Sequence, residues 1–524
     1  MKYLSLSAFQ SPLNLKVKVR FMMIPLPVRE GLQASKKLMQ MVCLLTVMSV
    51  SAIFILSQIQ SASAQTQPIS PTVPSESQLP DSLNPSQNSL DLPTRPEQVR
   101  LQQAQPITLQ QAIALAQRNN RELQVARQTL QRSQAALRQA QAARLPTLSG
   151  EAEFSREQNA SDKLDDLDDG EESSPETPLG GTLEVGYDIF TFGRRSGRIG
   201  AAQEQVRFDR LDVERLNEQT RLDVTNTYYD LQEADEQVRI SQAAVNNAQK
   251  SLQDAIALEE GGIVAQFDIV RARVQLGNAE QELIDAQSQQ DIARRRLVEL
   301  LSLSETVDVS AADPVRQAGE WELSLEESIV LAYKNRVELQ QQLAQRRIAE
   351  QQRRVALAEA RPQISLFANY QVLDDLSDEF DLQDGYAAGA RLRWNFFDAG
   401  AARFAAAQER NNRAIAETRF AQTRNQIRFQ VEQAYKNLQA NARSIQTAAA
   451  ALQQAQLGLE TARVRFQGGV GTQLDVISAE NDLTRAQVNR LNAILNYNRA
   501  LATLQRAVSN LPSRNPSASQ TNSK

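Results

Sequence analysis

The sequence predicts a mainly α-helical chain that is internally duplicated, with long coiled-coil hairpins and four short strands of the membrane type. Three observations support this prediction. Gln, Ala, Arg and Leu dominate the 524 residues, whereas aromatic residues make up only 5%, which is typical of long helices that pack through small side chains. The second half repeats motifs of the first. In both halves, segments with a period of two precede segments with a period of seven.

The composition excludes most catalytic chemistry. The chain has no histidine and a single cysteine, Cys43, so it cannot build a Ser-His or Cys-His pair or a His-based metal site. The acidic residues at 165–169 lack the spacing of an EF-hand loop, and no phosphate-binding loop is found. We therefore expect no enzyme activity, no cofactor and no metal site. The net charge of -5 also argues against general binding of nucleic acid.

Residues 1–64 are predicted to be a secretory signal peptide. Lys36 and Lys37 precede an apolar run from Met41 to Leu56, and the small residues 62–64 occupy the cleavage position. A membrane-anchoring helix is the alternative, although the run is shorter than the roughly 20 residues that span a bilayer. Residues 65–106 are rich in Pro, Ser and Gln and are expected to form a disordered leader. Residues 509–524 are expected to be a disordered tail.

The duplication defines two repeats. A shift of 216 residues places 109–116 on 325–332 and Pro146 on Pro362, and from Gly193 onward a shift of 207 places Gly193 on Gly400. The nine-residue difference lies in an acidic loop at 162–176, which is longer than its counterpart at 374–384. We predict a first repeat at 107–301, a linker at 302–322 and a second repeat at 323–508.

Each repeat is predicted to open with a helix of about 35 residues that stops at a proline, Pro146 or Pro362. Alternating apolar and polar residues follow at 148–155 and 183–189 in the first repeat, and at 364–370 and 392–396 in the second. A period of two predicts strands with one apolar face.

The predicted strands have the length of tilted strands that cross a bilayer. Four strands cannot close, and an open edge in lipid leaves backbone groups unsatisfied, so membrane insertion requires several chains. Two chains would supply eight strands and a filled interior, whereas three would supply twelve and a lumen. Tyr187, Trp394, Phe396 and Phe397 near the strand ends suit an interfacial aromatic girdle. Soluble hairpins are the alternative.

After Gly193 and Gly400, apolar residues recur every seven positions beside a row of mostly small residues. The rows are Val224, Leu231, Val238, Val245, Leu252 with Thr227, Ala234, Ser241, Ala248, Ala255, and Val431, Leu438, Ile445, Leu452, Leu459, Phe466 with Ala434, Asn441, Ala448, Ala455, Ala462. This repeat predicts left-handed supercoiling. A helix from about 195 to 258 would be roughly 95 Å long.

Two Gly-Gly sites are predicted to be turns between long helices. The glycines are Gly261 and Gly262 in the first repeat and Gly468 and Gly469 in the second. Thr472 and Asp475 have the spacing of a capping box. Asp268 and Asp475 are therefore either plain capping residues or, if three chains surround an axis, acidic rings that attract cations.

These features together resemble the TolC-like outer membrane factor family. The resemblance rests on the duplication, on the Pro146 and Pro362 junctions and on the matching strand-to-helix and tip segments. The segments are YDIFTFG at 187–193 and WNFFDAG at 394–400, and GGIVAQFD at 261–268 and GGVGTQLD at 468–475. The resemblance implies a homotrimer with a twelve-stranded barrel in outer-membrane lipid and an α-helical tunnel through the periplasm. It further implies docking on a periplasmic adaptor (membrane fusion) protein and an inner-membrane ABC or RND-type transporter.

By the same resemblance, Asp268 and Asp475 match acidic positions at the periplasmic aperture. The Gly-Gly turns and Thr472 match the surfaces that contact the adaptor. The arginine and tyrosine that latch the aperture in the best-known members are Gly471 and Phe466 here, and a second acidic position is Ser478. We therefore expect no ionic latch of that kind, and instead a weaker gate set by coil packing and adaptor contact.

The resulting prediction is a passive exit duct of a tripartite efflux pump or type I secretion system, located in the outer membrane with its tunnel in the periplasm. A coiled-coil envelope scaffold without a pore is the alternative. Both functions use the heptads, but only the duct requires the strand pairs and the matched tip turns.

Overall fold

The computed structural model describes residues 92–157, 177–375 and 382–509, together with Leu83 and Leu90. The predicted signal peptide, most of the predicted leader, the acidic loop at 162–176 and the residues after 509 lie outside the described residues.

Both repeats contain the same elements in the same order. The first has β1 (Gln105–Ile107), α1 (Leu109–Asn119), α2 (Arg121–Ala142), β2 (Thr147–Phe154), β3 (Pro178–Phe190), α3 (Arg194–Glu260) and α4 (Gln266–Leu301). The second has β4 (Val309–Ala311), α5 (Leu325–Asn335), α6 (Val337–Glu359), β5 (Gln363–Asp375), β6 (Gln383–Arg393), α7 (Ala401–Gln467) and α8 (Gln473–Val508). Helices α3 and α7 have 67 residues each, and α4 and α8 have 36 each. The internal duplication is therefore confirmed. Each repeat begins earlier than predicted, because β1 starts inside the predicted disordered leader and pairs with β4, which lies inside the predicted linker.

The described residues form two compact units. One unit contains the parts of the strands within 150–183 and 370–386, and the other contains the helices and the remaining strand residues. The long strands form one four-stranded sheet in the order β2-β3-β5-β6, which leaves β2 and β6 as edges. Strands β1 and β4 form a separate parallel pair. No helix among the described residues has both the length and the apolar character to cross a bilayer.

The heptad rows pack as predicted. No member of the four rows is exposed, and Val224, Leu231, Val431 and Leu459 are buried. Beside the strands the helices pack in the order α2, α3, α6, α7, and toward the Gly-Gly turns the order is α4, α3, α8, α7. Each array therefore has two outer helices that do not form a packed pair with each other.

The prediction of one continuous helix of about 35 residues before each proline was wrong. The helix is broken at Asn120 in the first repeat and at Arg336 in the second. Asn120 Nδ2 donates to the carbonyl of Leu300 at 3.3 Å, and Arg336 Nη1 donates to the carbonyl of Ala507 at 3.2 Å. The two bonds are equivalent, because the shift of 216 places Asn120 on Arg336 and the shift of 207 places Leu300 on Ala507. In both repeats, the break is tied to the end of the returning helix.

In the second repeat this tie is part of a buried ionic cluster. Arg336 bonds to both carboxylate oxygens of Glu338, at 2.9 and 3.0 Å, and Arg506 Nη2 bonds to Glu338 Oε1 at 2.9 Å. Burial opposes the ionisation of Glu338, but the bonds and charges of the two arginines outweigh it and lower its pKa from 4.5 to about 2. The cluster joins the start of α6 to the end of α8.

The second repeat also corrects a strand boundary. Alternation was predicted through Phe396, but β6 ends at Arg393. Trp394 Nε1 instead donates to the carbonyl of Ala360 at 3.2 Å, and its ring stacks on Phe396 with centroids 4.5 Å apart. Trp394, Phe396 and Phe397 are 47%, 82% and 85% exposed. Since isolated soluble chains rarely expose such clusters, the exposure suits an interfacial belt.

The low pKa of Glu338 predicts acid sensitivity. Because the pKa is lower in the folded chain, ionised Glu338 stabilises the fold by roughly 3 kcal/mol above pH 4.5, and this contribution is lost as the pH falls from 4.5 through about 2. Glu338→Gln should lower the thermal unfolding midpoint at pH 7 and flatten its dependence on pH between 5 and 3. The exposed Glu359→Gln serves as the matched control. Parallel pH profiles for the wild type and the Glu338 variant would contradict this prediction.

Candidate functional site

The ends of the long helices form two matched turns. In the first, Gly262 N–H donates to the carbonyl of Glu259 at 2.8 Å and Ile263 N–H donates to that of Leu258 at 2.9 Å. In the second, Gly469 N–H bonds to Phe466 and Val470 N–H to Arg465, both at 3.0 Å. These are the two bonds of a Schellman motif, in which the residue after the helix end is left-handed. Gly262 and Gly469 have φ of +71° and +72°, as the Gly-Gly prediction requires.

The two turns lie against each other. A Cβ on Gly469 would lie 3.4 Å from Ile263 Cγ2, so the turn of the second repeat touches that of the first. Gly471 is more constrained, because a Cβ there would lie 3.0 Å from both Arg465 Cβ and the backbone nitrogen of Phe466. Any side chain at position 471 would have to displace the backbone of α7.

The structure describes the surroundings of Gly471 and Phe466, the two positions at which the resemblance predicts a departure from the family. A side chain at position 471 would be crowded by the end of α7, and Phe466 is only 2% exposed. Phe466 belongs to a core that is shared by the last turns of α3 and α7 and the first turns of α4 and α8. Its buried members are Ala255, Ala272, Leu452, Leu459, Phe466, Val476, Leu483 and Ala486. Apolar packing holds the two hairpin ends together here.

The predicted capping box is present at the start of α8. Thr472 Oγ1 accepts from Asp475 N–H at 3.2 Å, and Asp475 Oδ2 accepts from Thr472 N–H at 2.9 Å and from Thr472 Oγ1 at 2.8 Å. These bonds lower the pKa of Asp475, which is exposed. In the first repeat the equivalent cap is Ala265, which makes no side-chain cap. Asp268 also lies in the first turn of its helix and is half-buried.

A buried polar cluster above the turns was not predicted. Arg463 Nη2 bonds to Glu480 Oε1 and to Asn247 Oδ1, both at 3.0 Å. Gln473 Nε2 bonds to Ser251 Oγ at 2.9 Å, and Gln467 Nε2 bonds to Asp254 Oδ2 at 3.3 Å. These contacts tie α3 to α7 and α8. The sequence spacing could have indicated this cluster. Asn247, Ser251 and Asp254 recur at i, i+4 and i+7, and Gln473 and Glu480 are seven residues apart, so each set lies on one face of its helix.

The pairing in this cluster is incomplete. Glu480 is 5% exposed, and burial raises its pKa, which the bond and charge of Arg463 only partly offset. Glu480 Oε2, Arg463 Nε and Gln473 Oε1 are buried without a hydrogen-bond partner. Buried polar groups that are only partly satisfied are costly. Helices α7 and α8 are therefore held to α3 by apolar packing and by polar contacts in which some buried groups are unpaired.

The predicted helix-to-strand junctions are positioned by backbone geometry. Helix α2 ends at Ala142 and α6 ends at Glu359, a few residues before Pro146 and Pro362. Gly193 and Gly400 are the N-caps of α3 and α7 and are left-handed, with φ of +98° and +86°. Within the described residues, no group of three or more His, Cys, Asp or Glu side chains is arranged to hold a metal ion.

Solved structures share this architecture. CusC, a transmembrane channel, superposes with a TM-score of 0.67 at 19% identity, covering 83% of this chain and 99% of CusC. The outer membrane protein VceC of Vibrio cholerae gives a TM-score of 0.65 at 19% identity over 76% of this chain and 95% of VceC. The open MtrE outer membrane channel of Neisseria gonorrhoeae gives a TM-score of 0.66 at 17% identity, covering 76% of this chain and 88% of MtrE. At these identities the likeness establishes the fold.

The sequence itself establishes the family. Residues 112–302 and 328–510 both match the family described as outer membrane efflux protein. The chain belongs to the outer membrane efflux protein family. It is an outer membrane protein whose long helices extend into the periplasm, and its general role is that of an efflux duct.

One curated relative belongs to a metal-resistance system. The cobalt-zinc-cadmium resistance protein CzcC of Cupriavidus metallidurans is 25% identical over 197 residues. The match covers 38% of this chain and 43% of that relative, so this chain matches less than half the length of CzcC.

Thr472→Ala should loosen the start of α8. Loss of a threonine N-cap costs about 1 kcal/mol, so amide exchange in the first turn of α8 should quicken roughly fivefold. The first repeat supplies the converse test, because Ala265→Thr should protect the first turn of α4 by a similar factor. Unchanged exchange in α8 after loss of Thr472 would contradict the capping role.

The Arg463–Glu480 pair should behave as a buried pair. Arg463→Met and Glu480→Leu should each destabilise the chain by about 3–5 kcal/mol, and the double variant by less than the sum. The exposed Arg485–Asp482 pair on α8 is the control, and its cycle should give less than about 1 kcal/mol. Additive losses for Arg463 and Glu480, measured by denaturant unfolding, would rule out the coupling.

Proposed function

We propose that this chain is a passive exit duct that works as a homotrimer with a periplasmic adaptor and an inner-membrane transporter. The carrying observation is the unclosed sheet, whose edges β2 and β6 have no neighbour within the described chain. An open edge in lipid leaves backbone groups unsatisfied. Three copies would supply twelve strands, enough for a barrel with an open lumen.

The outer helices support the same assembly. Near the tips, α4 and α7 are the outer helices, and both expose large apolar residues along their length. These are Val274, Ile284 and Ile292 on α4, and Phe429, Leu457 and Val464 on α7. Because both outer helices of the array expose large apolar side chains, a second copy of the chain is a suitable partner for each of them. Each copy would then place its α4 beside the α7 of a neighbour.

The tips are the proposed aperture and adaptor surface. Three copies would present Asp268 and Asp475 three times each, and rings of carboxylates attract cations and restrict anions. The Gly261-Gly262 and Gly468-Gly469 turns, with Thr472, are the proposed contacts for the adaptor. Because Gly471 and Phe466 stand where the resemblance predicts the arginine and tyrosine of the latch, the gate would depend on the apolar core and on the Arg463 cluster.

The cargo would be chosen by the partner transporter. An ABC-type or RND-type transporter would make the same duct serve type I secretion or drug and metal efflux. The chain itself has no phosphate-binding loop, so the driving energy would come from that transporter. A scaffold without a pore would use the same coiled coils but would leave the open sheet edges without a function.

Single-channel recording tests the proposal. The purified protein should give discrete conductance steps in a planar bilayer, and trivalent cations should block them from the side of the helix tips. Asp475→Asn keeps a side chain that can accept the cap bond but removes the charge, so block should weaken roughly tenfold. Asp482→Asn, an exposed neutralisation farther along α8, is the control. Folded protein that never conducts would favour the scaffold, and unchanged block in the Asp475 variant would remove that residue from the aperture.

A further inference from the structure

The level at which the helices meet the strands carries a concentration of positive charge. Four helices reach this level, and each has an exposed arginine within five residues of its strand-facing end. These residues are Arg144 after α2, Arg198 in α3, Arg361 after α6 and Arg403 in α7. Their side chains make no hydrogen bond or ion pair with any part of the chain that the structure describes. We call this set the arginine collar.

Contacts between neighbouring elements place the collar at one level. Arg195 Nη1 donates to the carbonyl of Ala143 at 3.3 Å, which holds the start of α3 beside the end of α2. Trp394 Nε1 donates to the carbonyl of Ala360, which holds the end of β6 beside the end of α6. Helix α3 packs against α6, and α6 packs against α7. The collar therefore lies beside the exposed aromatic residues at the strand ends.

Local charge does not explain the collar. Helices α2 and α6 end at this level, so Arg144 and Arg361 suit the negative ends of those helices. Helices α3 and α7 begin there. Arg403 lies in the first turn of α7, where a cation is unfavourable, and Arg198 lies beyond the first turn of α3, where the helix end gives it no favourable charge. Two carboxylates at this level are already bonded, Asp188 to Arg194 at 3.2 Å and Asp398 to the backbone N–H groups of Gly400 and Ala402 at 2.9 Å. Glu359, the exposed last residue of α6, forms no ion pair with the described arginines.

The surrounding helices are basic as well. Helix α2 contains four arginines and one acidic residue, and residues 401–430 of α7 contain six arginines and two glutamates. By contrast, α4, which runs away from the tips, contains five arginines and six acidic residues. The positive charge is therefore concentrated in the helical segments near the strands, and it does not extend evenly along all the helices.

We propose that the arginine collar binds the phosphodiester headgroups of anionic phospholipids in the membrane leaflet that faces the helices. Guanidinium groups form bidentate, charge-assisted bonds to phosphate oxygens. Aromatic side chains occupy the headgroup region of a bilayer, so Trp394, Phe396 and Phe397 set the depth at which the arginines lie. The collar would hold the chain at a fixed height in the outer membrane. This inference uses the membrane location and goes beyond the proposed export function.

Trp394 provides a reporter at the site. The chain has two tryptophans, and Trp321 precedes α5 and α6, so the 23 residues of α6 alone separate it from the collar by about 34 Å. The full-length protein in neutral detergent micelles would be titrated with phosphatidylglycerol carrying brominated acyl chains, and separately with brominated phosphatidylcholine. Bromine quenches tryptophan only at short range. Trp394→Phe should abolish any difference between the two lipids.

We expect half-maximal quenching at a concentration of brominated phosphatidylglycerol at least tenfold lower than that of brominated phosphatidylcholine. A variant with Arg144, Arg198, Arg361 and Arg403 all changed to Gln should lose this preference. Each single substitution should reduce it by up to about fivefold, which keeps the test decisive if the quadruple variant does not fold. The control changes Arg273, Arg296, Arg443 and Arg490, four exposed arginines distant from the strands, to Gln and should keep the preference.

Several results would overturn the proposal. Equal quenching of the wild type by both lipids would show no anionic preference. An equal loss in the control variant would show only the effect of net charge. Reversal of phosphatidylglycerol quenching by millimolar inorganic phosphate at constant ionic strength would indicate a site for the free anion. None of these readouts depends on conductance, so the export function and the collar can fail separately.

Discussion

The heptad seam along the two 67-residue helices is the constraint on which the rest of the structure depends. Each of these helices is about 100 Å long. Most of the stability of helices in proteins comes from packing against neighbouring elements, and less comes from intrinsic helix propensity. The rows that begin at Val224 and Val431 supply that packing at regular intervals. Helices α3 and α7 are each packed against α6 and α8, which lie between them. Both begin at a glycine that follows a strand, and both end at a Gly-Gly turn.

The duplication explains why the structure is nearly, but not fully, symmetric. Each repeat breaks its first helix at the same position and ties that break to the end of its last helix, yet the first uses the amide of Asn120 and the second uses a buried cluster of Arg336, Glu338 and Arg506. The tip turns follow the same pattern, since Thr472 caps α8 whereas Ala265 leaves α4 without a side-chain cap. In a duplicated chain, the side chains at one of these positions can change in one repeat while the other repeat keeps its own contacts.

The polar contacts are distributed along the helices in a way that suits a moving part near the tips. In the ionic cluster around Glu338 only Arg506 Nε is buried without a partner, and the pKa of Glu338 is low because the arginines favour its charged form. The Arg463 and Glu480 cluster is only partly satisfied, and the pKa of Glu480 is raised because burial dominates. A cluster with nearly all its polar groups paired favours one arrangement, whereas a cluster with three unpaired groups has a smaller free-energy difference between alternative arrangements. The proposed gate therefore lies near the cluster whose polar groups are the less completely paired of the two.

The sequence by itself determined the features that a few neighbouring residues encode. The heptads, the left-handed glycines, the Thr472 capping box and the alternation of the strands are local, because each depends on residues within one or two turns. Tertiary structure decided the rest. The break at Arg336 is stabilised by Arg506 and Ala507 about 170 residues away, and Arg463 finds Asn247 across 216 residues. The backbone of Arg465 and Phe466 crowds the space beside Gly471, and Trp394, just after the end of β6, bonds to Ala360 of α6's C-terminal end. A periodic pattern specifies which face of a helix is buried, but only the packed neighbour decides which polar side chains meet there.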